Sequence, residues 1–213
     1  MDPARIRYEI FAPNRSDEVF YFLLKIYNTE EPLAKCLDLS FESVTPYQDL
    51  IANALWWQTS YIAVDNLTDR VVGVCIAKLD YYNSLPSVPP YCYHIKYHTL
   101  MHFVNSCYAG SYELMPDAHV TVKIDILAVD PEYRRMGIAG NLVKNIEFLG
   151  RKLRCQYVKV LCSTFKTQKL FSKLEYKDFK TQYYLDYTPK GYHVFANMSA
   201  EETCAKLMAK KIY

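Results

Sequence analysis

The stretch VTVKIDILAVDPEYRRMGIAGNLVKNIEFLG, residues 120–150, has the clearest structural pattern in the chain. Its first part, Val120–Val129, alternates between apolar and polar side chains as a long β-strand does. The Asp-Pro-Glu-Tyr segment at 130–133 is typical of a turn. After Gly137, apolar residues recur at helical spacing until Gly150, which predicts an amphipathic helix that ends there.

The turn between this strand and this helix has the composition of an anion-binding site. Gly137, Ala139 and Gly140 are small enough to let a ligand approach the backbone, and the N–H groups at a helix start favour an anion such as a pyrophosphate. The spacing matches neither the dinucleotide-binding Gly-x-Gly-x-x-Gly fingerprint nor the P-loop. The alternative is a helix start that only packs on the sheet. Two arginines at the same turn, Arg134 and Arg135, favour the anion site in a chain that has only 6 glycines.

The rest of the chain also alternates between predicted strands and helices. Strands are predicted at 7–11, 61–64, 71–78, 157–162 and 179–185, and helices at 46–57, 97–108, 164–174 and from Ser16 onward. Residues 83–90 contain three prolines and are expected to form a loop. The tail from Ala200 has helix-favouring residues, yet a terminal strand could close the sheet. This interleaving predicts a mixed α/β fold.

Composition excludes several classes of protein. The 213 residues fit a single domain spanning 1–213, and 51% hydrophobic with 23% charged residues is typical of a globular protein. A net charge of +2 is too small to indicate nucleic acid as the main partner. The sequence shows neither a membrane-spanning run nor a signal peptide, so we expect a cytoplasmic protein. The seven cysteines have no zinc-binding spacing, so we expect free, mostly buried thiols and no metal.

Several segments resemble one enzyme family. The turn at Arg134–Gly140 resembles the acetyl-CoA pyrophosphate loop of the GNAT superfamily of N-acetyltransferases, and the longer string 126–142 resembles the insect arylalkylamine (dopamine) N-acetyltransferases. Glu30-Glu31-Pro32-Leu33 resembles that group's Asp-Glu-Pro-Leu segment, and Leu161-Cys162-Ser163 with Thr167 resembles its Leu-Cys-Ser-Ser-x-x-Ser segment. Residues 186–191 and 208–210 resemble its closing strands. The resemblance covers residues 30–210.

This resemblance implies a strongly twisted mixed sheet of about seven strands, flanked by helices. Two central parallel strands, ending at Val129 and Leu161, would splay apart and admit acetyl-CoA as co-substrate. It also implies that residues 204–212 form a strand, against their local propensity.

The resemblance further implies a set of cofactor contacts. Backbone groups of Leu127 and Val129 would pair with the pantetheine arm. Lys173 would lie near the nucleotide end, although an ordinary solvated helix lysine is the alternative. The pyrophosphate would be held by Arg134, Arg135, Met136, Gly137, Ile138, Ala139 and Gly140.

Aminolysis of a thioester calls for a base that deprotonates the amine and an acid that protonates the departing thiolate. By resemblance Glu31 is the base, acting through ordered water, and Ser163 and Thr167 are the hydroxyls near the thioester. The alternatives are that Glu31 stabilises a helix start and that Ser163 or Thr164 caps a helix. Cys162 could carry an acetyl group, but we expect direct transfer.

The acceptor is the least determined feature. The leading hypothesis is an arylalkylamine such as dopamine, octopamine, tyramine or serotonin, bound by a monomer. Trp56, Trp57, Tyr81 and Tyr82 are available for an aromatic-lined pocket, although core packing or solvent exposure explains most of the tyrosines equally well. A polyamine, an amino acid or a longer acyl donor is the second reading, and a non-catalytic acyl-CoA-binding protein is the third. Two departures from the family pattern bear on the site: Thr167 replaces a serine, and Glu175 stands where a glycine normally makes a turn.

Overall fold

A computed structural model describes residues 5–39, 44–82, 84 and 90–213. Most of the predicted loop at 83–90 lies outside the described residues. All seven cysteines are free thiols, and five of them are buried. Among the described residues, no helix has the length and apolar character needed to cross a membrane.

The described residues form one seven-stranded sheet, as the resemblance implied. Its strands are β1 (Ile6–Ile10), β2 (Tyr61–Asp65), β3 (Arg70–Tyr81), β4 (Val120–Val129), β5 (Tyr157–Cys162), β6 (Lys177–Tyr183) and β7 (Cys204–Lys211). They lie in the order β1-β2-β3-β4-β5-β7-β6. Only β4 and β5 pair in parallel, while the other neighbours are antiparallel. The strand expected at 179–185 lies about two residues earlier, as β6.

The terminal strand β7 shows why local propensity misleads here. It lies between β5 and β6 and pairs with both, so both edges of its backbone are hydrogen-bonded. Ala205, Leu207, Met208 and Ala209 are buried. Pairing and burial outweigh the helix preference of these residues, and the strand implied by the resemblance is confirmed.

Helices cover both faces of the sheet. They are α1 (Ser16–Phe22), α2 (Asn28–Glu30), α3 (Pro32–Cys36), α4 (Val44–Trp57), α5 (Ile95–Tyr108), α6 (Ile138–Lys152) and α7 (Phe165–Lys173). A π-helical turn, Leu23–Tyr27, joins α1 to α2. The helices α6 and α7 pack on one face of the sheet, and α1, α4 and α5 lie on the other.

The central parallel pair separates at one end. Its pairing covers Thr121–Ile124 of β4 and Tyr157–Val160 of β5. Residues 125–129 and 161–162 continue both strands without pairing to each other in the described sheet. The implied splay between the two strands is therefore present, and it opens the sheet where the candidate site residues lie.

Candidate active site

A cavity of about 490 Å³ opens where β4 and β5 separate, on the face covered by α4 and α5. Glu31 and Ser163 both line it. These two residues are 132 positions apart in sequence, one between α2 and α3 and the other directly after β5. The fold brings together two residues that the sequence analysis singled out, the predicted base Glu31 and the predicted hydroxyl Ser163.

The backbone at Glu31 is set by the proline that follows it. A residue before proline is disfavoured in the helical region, and Glu31 is extended, with φ −73° and ψ 118°. The helix from Ser16 therefore stops at Glu30, and α3 starts at Pro32 with Glu31 as its N-cap. The Glu31 carboxylate accepts a long hydrogen bond of 3.4 Å from the Leu33 N–H. The predicted helix-stabilising role is thus present, and the same carboxylate also faces the cavity.

The hydroxyl-bearing side chains of Ser163 and Tyr27 also lie near this carboxylate and favour its ionised form. Burial raises the pKa of Glu31, while Ser163, the Leu33 N–H and Tyr27 oppose that shift. A glutamate with a raised pKa is a stronger base than an exposed one. The π-helical turn ends at Tyr27, and such turns frequently occur at functional sites.

Thr167 lies in a different environment from Ser163. Thr164 is the N-cap of α7 and its hydroxyl accepts from the Thr167 N–H at 3.0 Å, while the Thr167 hydroxyl donates to the Thr164 carbonyl at 2.8 Å. The two side chains form a capping box. Thr167 is not among the described residues that line the cavity. Its catalytic role stays a prediction, and its capping role is visible in the structure.

The turn before α6 has the backbone that an anion-binding loop needs. Arg135 and Gly137 have positive φ values of 65° and 77°. Neither Gly137 nor Gly140 has another atom within 4 Å of the place a Cβ would occupy. The first helical hydrogen bond runs from Asn141 to the Gly137 carbonyl at 3.0 Å, so the N–H groups of residues 138–140 precede it. The loop therefore combines backbone N–H donors with open space beside them.

An exposed ion pair connects this loop to the end of α2, directly before Glu31. Arg134 Nη2 donates to Glu30 Oε2 at 3.0 Å, and Glu30 directly precedes Glu31. An incoming pyrophosphate would compete with Glu30 for Arg134.

The other cofactor candidates lie around the splay. Leu127 and Val129 belong to the part of β4 that does not pair with β5. Lys173 is the last residue of α7 and is exposed. Their roles toward acetyl-CoA stay predictions.

The aromatic lining of the cavity differs from the expectation. Of the four aromatic residues named from the sequence, Trp57 lines the cavity, whereas Trp56, Tyr81 and Tyr82 are exposed outside it. The remaining aromatic lining comes from tyrosines that sequence reasoning missed, on the π-helical turn, α4, α5 and the segment before α5. They are Tyr27, Tyr47, Tyr93, Tyr97 and Tyr108. In a chain with 20 tyrosines, their spacing gave no signal that separated them from the others.

The described residues include no group of three or more His, Cys, Asp or Glu side chains suited to a metal ion. Cys162 is buried, and burial raises the pKa of its thiol far above the usual range. A thiol in that environment is a poor nucleophile.

Comparison with known proteins places this geometry in a family. The model of the acetyltransferase (GNAT) family matches residues 20–176. Arylalkylamine N-acetyltransferase 2 from Aedes aegypti has a similar structure, with a TM-score of 0.86 and 21% identity over 98% of this chain and 99% of that one. The polyamine N-acetyltransferase of Drosophila melanogaster, which forms N-acetylagmatine, has a TM-score of 0.79 and 18% identity over 97% and 99%. The C-terminal condensation domain of Ebony, solved with beta-alanyl-dopamine, has a TM-score of 0.83 and 12% identity over 98% and 99%.

At these sequence identities the solved structures show a common fold and do not identify the acceptor substrate of this chain. The family model covers well over half of the chain. The chain therefore belongs to the GNAT family of acetyltransferases.

Proposed function

We propose that this chain transfers the acetyl group of acetyl-CoA to the primary amine of an arylalkylamine of the dopamine, octopamine, tyramine or serotonin type. The GNAT family uses acetyl-CoA as its acetyl donor. The observation that supports the proposal best is that Glu31 and Ser163 line one cavity at the splayed ends of β4 and β5. The aromatic lining of that cavity suits a substrate with a ring.

Two features of the structure support acetyl-CoA as the donor. Gly137 and Gly140 leave room at the start of α6, and the N–H groups there suit a pyrophosphate. The end of β4 that contains Leu127 and Val129 pairs with β3 but not with β5, so its β5 side offers backbone groups to an amide-bearing chain. When bound, acetyl-CoA supplies an activated thioester.

The residues of this chain then have separate tasks. Glu31 takes a proton from the ammonium of the acceptor, directly or through water, and so exposes the nitrogen lone pair. The Ser163 hydroxyl, which lies beside that carboxylate, donates to the departing sulfur as charge develops on it. Because the Cys162 thiol is held protonated by burial, transfer is direct, without an acetylated cysteine.

Thiol release from acetyl-CoA in the presence of single amines tests the proposal. Dopamine, tyramine and serotonin should be turned over with higher kcat/KM than agmatine or spermidine. Ser163→Ala should lower kcat with little change in the amine KM, because the lost hydrogen bond forms mainly in the transition state. A preference for agmatine would favour the polyamine reading instead, and acetyl-CoA binding without turnover of any amine would favour a binding protein.

We also propose that residues 1–213 form one catalytic domain that acts as a cytoplasmic monomer. Sedimentation at micromolar concentration tests the oligomeric state, and fractionation of cells tests the compartment.

A further inference from the structure

Three lysines form a row across the centre of the sheet, on the face that bears the cavity. Lys78 of β3 is the cross-strand partner of Lys123 of β4, which is in turn the partner of Lys159 of β5. Their side chains become less exposed along the row, at 31%, 12% and 1%. Lysine is rarely buried without a partner, so such a row requires nearby acids.

One end of the row is neutralised within the protein. Lys159 Nζ lies 2.5 Å from Asp80 Oδ2 and 4.1 Å from the centre of the Tyr112 ring. The Tyr112 hydroxyl donates to the same Asp80 oxygen at 3.1 Å. Lys159 and Asp80 therefore neutralise each other, and neither residue lines the cavity.

The other end faces the cavity and has one positive charge in excess. The register between β3 and β4 shifts between Ile76 and Ala77, which leaves Asp125 as a bulged residue of β4. Its carboxylate lies 3.0 Å from Lys123 Nζ and 3.7 Å from Lys78 Nζ. The Lys78–Asp125–Lys123 cluster thus has two cations for one anion, and all three residues line the cavity.

The contacts of the two lysines differ. Lys123 is held by Asp125 and by the Tyr108 ring, whose centre is 4.3 Å from its Nζ. Lys78 reaches Asp125 only at 3.7 Å, which is longer than a hydrogen bond. Lys78 is therefore the better placed of the two to donate to a ligand.

The cluster lies at a definite distance from the acetyl-transfer end. Ser163 is four residues beyond Lys159, the partner of Lys123, which corresponds to roughly 13 Å along a strand. An ethylamine chain, one ring and one further group can span much of that distance. The cavity thus has a carboxylate, Glu31, where the amine must react, and an excess cation where the far end of the acceptor would lie. Asp49, a third lining carboxylate, is exposed on α4 and accepts from the Tyr93 hydroxyl.

We propose that the Lys78–Asp125–Lys123 cluster binds an anionic group at the far end of the acceptor, so that an arylalkylamine bearing a carboxylate opposite its aminoethyl chain is preferred. This inference rests on the proposed function and refines its substrate class. The cluster would repel a second cation at that end of the acceptor, as in a polyamine. An unsubstituted ring would leave the excess positive charge of the cluster without a partner.

A comparison of four amines in the thiol-release assay tests the inference. They are 4-(2-aminoethyl)benzoate, tyramine, phenethylamine and agmatine, which carry a carboxylate, a phenol, no group and a cation at the far end. We expect kcat/KM to be roughly tenfold to a hundredfold higher for the benzoate than for phenethylamine, the range of one hydrogen bond to a charged group. Lys78→Met should remove most of that preference and change phenethylamine little, because the closer Lys123–Asp125 pair remains. Lys144→Met, on the exposed side of α6, is the matched control and should behave as the wild type.

Three results would overturn the inference and leave the proposed function standing. They are equal rates for the benzoate and phenethylamine, a preference for tyramine, and an unchanged benzoate preference in Lys78→Met. A preference for agmatine would overturn both the inference and the proposed function, in favour of the polyamine reading. If no amine is turned over, the proposed function fails instead. In that case calorimetry of 4-(2-aminoethyl)benzoate binding to the wild type and to Lys78→Met tests the inference independently of turnover. A lower affinity of the variant would support the inference, and equal affinities would refute it.

Discussion

The substitution Glu31→Gln should remove most of the turnover and leave the fold intact. Glutamine keeps the length of the side chain and one acceptor oxygen, but it cannot take a proton from an ammonium at neutral pH. Because Glu31 lines the cavity together with Ser163, the variant loses the proposed base and keeps the shape of the site.

The expected loss of rate is large. Removing one positioned general base costs roughly a hundredfold to ten-thousandfold in rate. At 1.36 kcal/mol for each factor of ten, this is about 3–5 kcal/mol of transition-state stabilisation.

The expected change in stability is small, because two effects oppose each other. The N-cap bond from Leu33 to Glu31 is long, at 3.4 Å, and glutamine can still accept it, so the loss lies at or below about 0.5 kcal/mol, the low end for caps. Burial raises the pKa of Glu31 above the usual 4.5, so the folded state binds the proton more tightly than the unfolded state. The wild type therefore loses stability as the pH rises from 4.5 through the raised pKa, and Glu31→Gln does not. Relative to the wild type, the variant should be more stable at pH 7 than at pH 4.

Three measurements check this reasoning. Thiol release across pH 5–9 gives kcat, calorimetry gives the affinity for acetyl-CoA, and thermal unfolding at pH 4 and 7 gives stability. In the wild type kcat should rise as Glu31 ionises, and the variant should lack that rise while it binds acetyl-CoA normally. Glu201→Gln, the same chemical change at an exposed glutamate, is the control and should leave all three unchanged.

A folded Glu31→Gln protein with near-normal kcat would refute the assignment of the base. An effect confined to thermal stability would show that Glu31 serves only as the N-cap of α3. Loss of acetyl-CoA affinity together with kcat would mean that the substitution distorts the cofactor site.

Gly137→Val should lower acetyl-CoA affinity on the order of tenfold or more, because the side chain would occupy the open space at the loop. Gly191→Val is its control: Gly191 also has a positive φ, 83°, and free space around it, so both variants should lose about 1–2 kcal/mol of stability but only the first should lose affinity. Thr167→Val should lower the free energy of unfolding by about 1 kcal/mol through loss of the capping box, whereas Thr167→Ser should not, and kcat at a temperature where both are folded tests the predicted catalytic hydroxyl. Glu175→Gly should raise the melting temperature, since Glu175 has a φ of 67° and its exposed ion pair with Lys210, at 3.7 Å, contributes little. Glu175→Ala keeps the backbone strain and should give no gain; equal melting temperatures for the two Glu175 variants would contradict the argument.

The elements that could be predicted from the sequence are those with a local cause. The 3.6-residue period of α6 results from one buried face, so that pattern is complete within its own segment. The alternation in β4 identifies the strand, although the bulge moves Ile126 to the face opposite Ile124. The stop at Glu30 follows from the proline two residues later. The strand β7 has no such local cause, because its pairing with β5 and β6 depends on distant parts of the chain. It could be predicted only from the family resemblance.

The cavity lining could not be predicted for the same reason. Which of 20 tyrosines face the cavity depends on how α4 and α5 pack on the sheet, and neighbouring residues of one helix differ in outcome. Trp57 lines the cavity, whereas Trp56 is 82% exposed. The bulge at Asp125 is likewise a mismatch between two strands and has no signature in either strand alone.

The irregular features of the fold converge on the cavity. The π-helical turn brings Tyr27 to Glu31, the following proline ends the helix so that the Glu31 carboxylate faces inward, and the bulge adds Asp125 to the lining. The splay of β4 and β5 leaves backbone groups unpaired at the same place. Each feature gives up regular hydrogen bonding that an ordinary helix or sheet would keep, and each leaves a polar group directed at one cavity. A fold selected for stability alone would have no reason to place these irregularities together, whereas an acyl-transfer site needs a base, a hydroxyl and an entry for the thioester within a few ångströms of each other.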